Sequence, residues 1–236
     1  MQDSILAALD YLSALHPVTL FLLFLAENIL IAAISILLGF MLDGLLTTFK
    51  DEITLKEIGW TCSTIFFNTL VTLAGYKLFQ HGVIIFHLNF SVTELLADFL
   101  LLIVAMDFMM YVFHWAIHKL HALYRYHDLH HQYNNPTAVS LFVLHPVEVL
   151  GFGGLWLCLL TAIDFSIYAI ILYLMFNVAM GIIGHLRKEF IPASVKNHTF
   201  FQWLANTGFH VDHHQYQQYN FGFYTKVWDR IFGTLK

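Results

Sequence analysis

Residues 114–131 read HWAIHKLHALYRYHDLHH and hold six of the fifteen histidines in this 236-residue chain. His114 and His118 stand four apart, and His127, His130 and His131 follow at spacings of three and one. Positions three and four apart share a helix face, so each cluster is expected to aim its imidazoles at one point. Far downstream, His210, His213 and His214 repeat the H-x-x-H-H spacing. Eight imidazoles are more than one ion ordinarily takes, which points to a two-metal site. Neutral imidazole suits zinc, iron, copper and nickel alike, so the spacing does not name the metal.

What precedes the stretch decides the fold. From Glu94 the chain runs LLADFLLLIVAMDFMMYVF straight into His114, with Thr93 placed to cap the start. That run is long enough to cross a bilayer and emerge as the same helix. Asp107 lies two turns before His114 on the same face, where a carboxylate can orient a ligand imidazole. Four further apolar stretches flank it: Val18 to Leu42, Trp60 to Phe79, His145 to Ile163 and Ser166 to Ile183. The last two read as a tight helical hairpin, with Gly151, Gly153 and Gly154 allowing close packing.

Composition agrees. Hydrophobic residues make up 58% of the chain and charged residues 11%, against roughly 25% charged in soluble domains. The mean hydropathy is +0.67. The expected fold is all-α: a polytopic membrane helix bundle of four to five spans, with a cytoplasmic helical cap holding a polyhistidine metal centre. The whole chain, 1–236, reads as one membrane domain, with N-terminal helices over 1–92 and the catalytic part over 93–236. The net charge of −5 comes without basic or acidic runs, and nothing suggests nucleic acid. Cys62 and Cys158 lie in apolar runs and are expected to be packed inside. The start, MQDSILAALDYLSALHP, has no Lys or Arg, unlike a cleaved signal peptide, so the N-terminus is expected to be retained.

Basic residues set the expected orientation. Lys119, Arg125, Arg187, Lys188, Lys196, Lys226, Arg230 and Lys236 all fall in the two histidine-bearing regions. The positive-inside rule puts those regions in the cytoplasm, and five spans put Lys50 and Lys56 there too. Glu27 and Asn28 are the polar residues of the first apolar run, where a carboxylate is functional, packed within the bundle or placed near an interface.

The pattern H-x3-H (His114, His118), H-x2-H-H (His127, His130, His131) and a second H-x2-H-H (His210, His213, His214) resembles the fatty acid hydroxylase/sterol desaturase superfamily of membrane di-iron oxygenases. LFVLHPVE, with His145 and Glu148, is similar to that family's histidine-proline-acid segment. The ending YNFGFYTKVWDRIFGT resembles its closing pattern. The resemblance covers roughly 107–234. Trp115 replaces the family's usual Arg, Asn206-Thr207-Gly208 stands where a Pro is frequent, and Phe221 replaces a Tyr; none of these is a ligand position.

The resemblance implies that the eight motif histidines are catalytic metal ligands, with His145 and His185 as further candidates. Asp107 and Glu148 would support ligand imidazoles from behind. It implies two Fe ions, replaceable by zinc in a purified sample, and O2 as co-substrate. It also implies a fatty acyl, sphingolipid or sterol-like substrate that is hydroxylated or desaturated. Electrons would come from an external ferredoxin or cytochrome b5-type donor, since the chain has no nucleotide, flavin or haem motif. His121, His16, His81, His87 and His198 read as ordinary residues. The rival reading is a histidine-rich zinc or iron transporter, which would carry ligands along its spans; a non-catalytic scaffold is the third.

Overall fold

The computed structural model describes residues 2–47, 53–134, 136–189, 191–196 and 198–236; Lys50 therefore lies outside the described residues. A short helix α1 (Gln2–Ala14), unforeseen in the hydropathy pattern, precedes α2 (Pro17–Leu46). His16 caps α2 with its ring, and Pro17 occupies the first turn, where its missing N–H costs nothing. α3 (Leu55–Gln80) returns along α2; its Thr54–Glu57 capping box satisfies two donors at once. β1 (Phe86–His87) follows, then α4 (Val92–Lys119). Ser91, not Thr93, caps α4: Ser91 is extended at φ −138° and accepts from Glu94 N, while Thr93 is already helical.

α5 (His121–His131) turns off the end of α4 at Leu120, and α6 (Pro146–Ala162) and α7 (Ile167–Gly184) form the expected hairpin. The turn between them contains β2 (Phe165–Ser166), which pairs in parallel with β1, Phe86 opposite Phe165. The short helices α8 (Ala193–Lys196), α9 (Thr207–Gln215) and α10 (Val227–Phe232) complete the chain. Helices α2, α3, α4 and α7 are long and apolar enough to cross a membrane, whereas α6 has 17 residues and is shorter. Large apolar side chains face outward from them, Leu30 and Leu37 each 60% exposed. Such a surface is stable against hydrocarbon and unfavourable in water.

The core lies between α4, α6 and α7, built on Leu102, Met106, Met110, Leu160, Ile170 and Tyr173. Two of the three predicted glycines bring α6 close. A Cβ at Gly151 would sit 2.1 Å from Phe113 Cζ, and one at Gly153 would sit 2.5 Å from Val71 Cγ2, while Gly154 has open space. Cys62 and Cys158 are exposed rather than packed inside, because the outer face of a span is as apolar as its inner face. At the histidine-bearing end, Asp43 Oδ1 accepts from Arg187 N at 2.9 Å, tying α2 to the segment after α7.

Candidate metal centre

The eight motif histidines and His185 converge at that end, but not cluster by cluster. One group joins His114, His118, His127, His131 and His213; the other joins His130, His185, His210 and His214. Within each group the ligating atoms lie within 4.8 Å of one another. The expectation of one target per cluster is therefore corrected. His127 and His131, four apart, share one group, as His210 and His214 share the other. His130 and His213, three residues on from the first histidine of each cluster, cross to the opposite group. At 100° per residue a step of three and a step of four diverge by that angle, so each H-x-x-H-H helix serves both groups.

The facing nitrogens are spaced like ligands of a shared ion. Nε2 of His127 lies 3.1 Å from that of His114 and 3.0 Å from that of His131, and His210 and His214 approach to 3.1 Å. Nitrogens bound at about 2.1 Å to one ion come this close. Several of the opposite ring nitrogens are held from behind, whereas His131 Nδ1 has no hydrogen-bond partner among the described residues. His114 Nδ1 donates to the Phe221 carbonyl at 2.9 Å, His213 Nδ1 to the Tyr219 carbonyl at 2.7 Å, and His185 Nδ1 to the Gly181 carbonyl at 3.0 Å. His127 Nδ1 meets the Glu148 carboxylate. These bonds fix the tautomer that turns the Nε2 lone pair inward. Nε2 of His185 and of His213 is buried with no hydrogen-bond partner among the described residues, as suits an atom that ligates a metal.

Burial favours the ligating, neutral form. Desolvation lowers His130 and His213 to about 4 and His185 to about 3, from an ordinary value of 6.5. It also lowers His127, His131, His210 and His214, with neighbouring imidazoles adding to the effect. The donor set is all nitrogen, which fits iron or zinc and disfavours calcium or magnesium.

Two expected residues take other roles. His145 joins neither group: its Nδ1 accepts from Val147 N to cap α6, and its ring stacks on Tyr126. Asp107 touches no histidine. It accepts from Tyr224 N at 2.8 Å, Thr225 N and Oγ1, and Trp228 Nε1. The imidazole it was expected to orient, His114, is held by Phe221 instead. Glu148 fills its expected place and also accepts from His145 N at 3.2 Å.

Asp229 was given no role from sequence, yet it builds the carbonyl support. It is fully buried and accepts from Phe221 N and Gly222 N, both at 2.8 Å, and from Thr234 Oγ1 at 2.7 Å. A Cβ at Gly222 would lie 2.3 Å from the Thr225 carbonyl oxygen, so the loop closes only around glycine. Asn220 adopts φ +62°, a region asparagine tolerates better than most residues. The signal was present in YNFGFYTKVWDRIFGT, but a motif does not say which carbonyl faces which ring. Asn206, just before the third histidine cluster, caps α9 by accepting from Phe209 N at 2.9 Å.

Below the histidines a cavity of about 650 Å³ runs between the spans. His114, His127, His130, His185 and His210 close one end, and apolar residues such as Met110, Phe152 and Trp156 line much of its wall.

Apolar spans ending in two buried polyhistidine groups define a multi-pass membrane metalloprotein. The chain belongs to the fatty acid hydroxylase family, whose pattern matches residues 99–234. It is 24% identical to human lathosterol oxidase over 196 residues, covering 77% of this chain and 60% of that protein. It is 24% identical to rat cholesterol 25-hydroxylase, covering 71% and 61%. It is 30% identical to a putative Delta(7)-sterol-C5(6)-desaturase 2 of Arabidopsis thaliana, covering 57% and 47%. The chain spans about three fifths of the length of the two animal relatives. No solved structure matches it.

Proposed function

We propose that this protein is a membrane di-iron oxygenase that hydroxylates or desaturates a C–H bond of a lipid. The observation that carries the reading is the cavity: it is mostly apolar along the spans and lined at one end by histidines of both metal groups. Two bound irons supply the O2-dependent oxidation that an unactivated C–H bond requires, which zinc, having no redox chemistry, does not. The five- and four-histidine groups hold the ions. Glu148 and the carbonyls of Phe221, Tyr219 and Gly181 keep the rings in the ligating tautomer. The cavity wall excludes water and aligns the lipid so that one carbon meets the histidine end. The names of the relatives favour a sterol-like lipid over a fatty acyl chain.

The histidine end faces the cytoplasm in this proposal, where a ferredoxin or cytochrome b5-type donor delivers electrons. A transporter would need ligands spaced along its spans, and these gather at one end. The test supplies iron-loaded membranes with reductant and 18O2 and follows lipids by mass spectrometry. Hydroxylation places label in the product; desaturation removes two hydrogens and adds no label. Either product should vanish in His130→Ala; persistence of full activity in that variant would refute the proposal.

A further inference from the structure

Part-way along the cavity the wall carries polar groups that the spans do not use. Glu27 and Asn28 of α2 and Asn68 of α3 line it. Asn28 Nδ2 donates to the Phe24 carbonyl at 2.9 Å and to Thr72 Oγ1 at 3.3 Å, and Thr72 Oγ1 donates to the Asn68 backbone carbonyl at 3.1 Å. α2 and α3 also meet through the rings of Phe21 and Phe66 and of Phe24 and Tyr76. Asn28 Oδ1, the whole Asn68 side-chain amide and the Glu27 carboxyl have no hydrogen bond or ion pair among the described residues. Asn28 and Asn68 are half-buried and Glu27 is exposed, and an unpaired polar group at membrane depth is disfavoured unless something entering a cavity pairs it.

Their depth follows from α3. Thr64 Oγ1 donates to the Leu144 carbonyl, just before the α6 cap and level with the histidine end. Asn68 lies about one turn further on, about 6 Å along the helix axis, and Thr72, which Asn28 meets, about 12 Å.

We propose that Glu27, Asn28 and Asn68 form a recognition subsite for a hydroxyl group of the lipid, remote from the carbon that is oxidised. The substrate is then a lipid already bearing oxygen, not a plain hydrocarbon chain. A hydroxyl matches the set: its proton goes to the Glu27 carboxyl or to Asn28 Oδ1, and its oxygen accepts from the Asn68 amide. This inference rests on the lipid-oxidation reading for the other end of the cavity.

The test uses the full-length, iron-loaded protein in nanodiscs, incubated without O2 with a lipid extract of the source cells, so that no new hydroxyl forms. Lipids retained by the protein are identified by mass spectrometry before and after silylation of free hydroxyls. The wild type should enrich lipids that take up a silyl group. Asn68→Leu and Glu27→Leu should each lower that enrichment about tenfold, the loss of one good hydrogen bond, with iron content unchanged, while Glu27→Gln retains it. Enrichment of lipids without a hydroxyl, no enrichment at all, or enrichment equal in all variants overturns the subsite. If oxidation proceeds but enrichment ignores Glu27 and Asn68, only the subsite fails. If enrichment depends on them but no lipid is oxidised when O2 is restored, the oxygenase reading fails instead.

Discussion

Glu148→Gln replaces the carboxyl group behind one metal group with an amide of nearly the same shape. Glu148 is 1% exposed; one carboxylate oxygen meets His127 Nδ1 and the other accepts from His145 N. A hydrogen bond to a charged acceptor contributes roughly 1.5–3 kcal/mol and a neutral one about 0.5–1.5. An amide oxygen turned to His127 Nδ1 accepts more weakly than the carboxyl, by up to about 1–1.5 kcal/mol, near tenfold in a binding constant, and the amide NH2 then faces His145 N. Loss of a partner behind a metal-bound histidine generally costs about 10–100-fold in affinity. We expect iron affinity at the five-histidine group to fall by that factor. The four-histidine group, which Glu148 does not touch, should keep its iron. Competition with a graded series of Fe(II) chelators reads both affinities on purified protein, and unfolding of the metal-free form checks that the fold survives. Unchanged affinity at both groups, or equal loss at both, would refute the reasoning.

Four other outcomes follow from the geometry. His185→Ala should empty the four-histidine group, whereas His145→Ala should keep full iron and lose only a helix cap, about 0.5–2 kcal/mol; metal analysis and thermal unfolding separate the two. Asp229→Asn leaves Phe221 N or Gly222 N facing an amide N–H, so it should loosen His114 and lower activity at least tenfold, with iron retained more weakly, read by turnover and chelator competition. Gly153→Leu drives a side chain into Val71 between α3 and α6 and should cost more than about 1–3 kcal/mol, seen as a lowered unfolding temperature in detergent. For pH, His130, His213 and His185 have folded values of about 4, 4 and 3, below the ordinary 6.5. The unfolded chain then binds more protons in acid, so stability of the metal-free protein is full above about pH 6.5 and falls as pH drops toward 4. Flat stability across that window would contradict the burial of neutral imidazoles.

Much of this was legible before any coordinates. An apolar run delivering His114 and His118 as its own continuation needs only length and periodicity, and α4 is that helix. The hairpin of α6 and α7 followed from two apolar runs with a short gap. Local spacing, however, cannot tell how two H-x-x-H-H helices cross, so the exchange of His130 and His213 between groups emerged only in three dimensions. Asp107 lies on the face of His114, but Tyr224, Thr225 and Trp228 reach it from more than a hundred residues away. His145 is a candidate ligand by its similarity to a family segment, and spacing alone does not show that its Nδ1 caps α6. Cys62 and Cys158 were misplaced inside because hydropathy does not distinguish a lipid-facing from a core-facing residue. The unpaired polar wall of Glu27 and Asn68 depends on which faces of α2 and α3 meet the cavity.

At the centre of the proposal, two polyhistidine groups hold two irons that act together on a lipid. Mössbauer spectroscopy of the full-length protein loaded anaerobically with 57Fe(II), with total iron counted on the same sample, tests it most directly. The prediction is about two irons per chain in two nitrogen-ligated ferrous environments, one of which is lost in His185→Ala, and both of which are oxidised when O2 and lipid are added. A single iron per chain, or two irons unaffected by His185→Ala and inert to O2 with lipid, would contradict it.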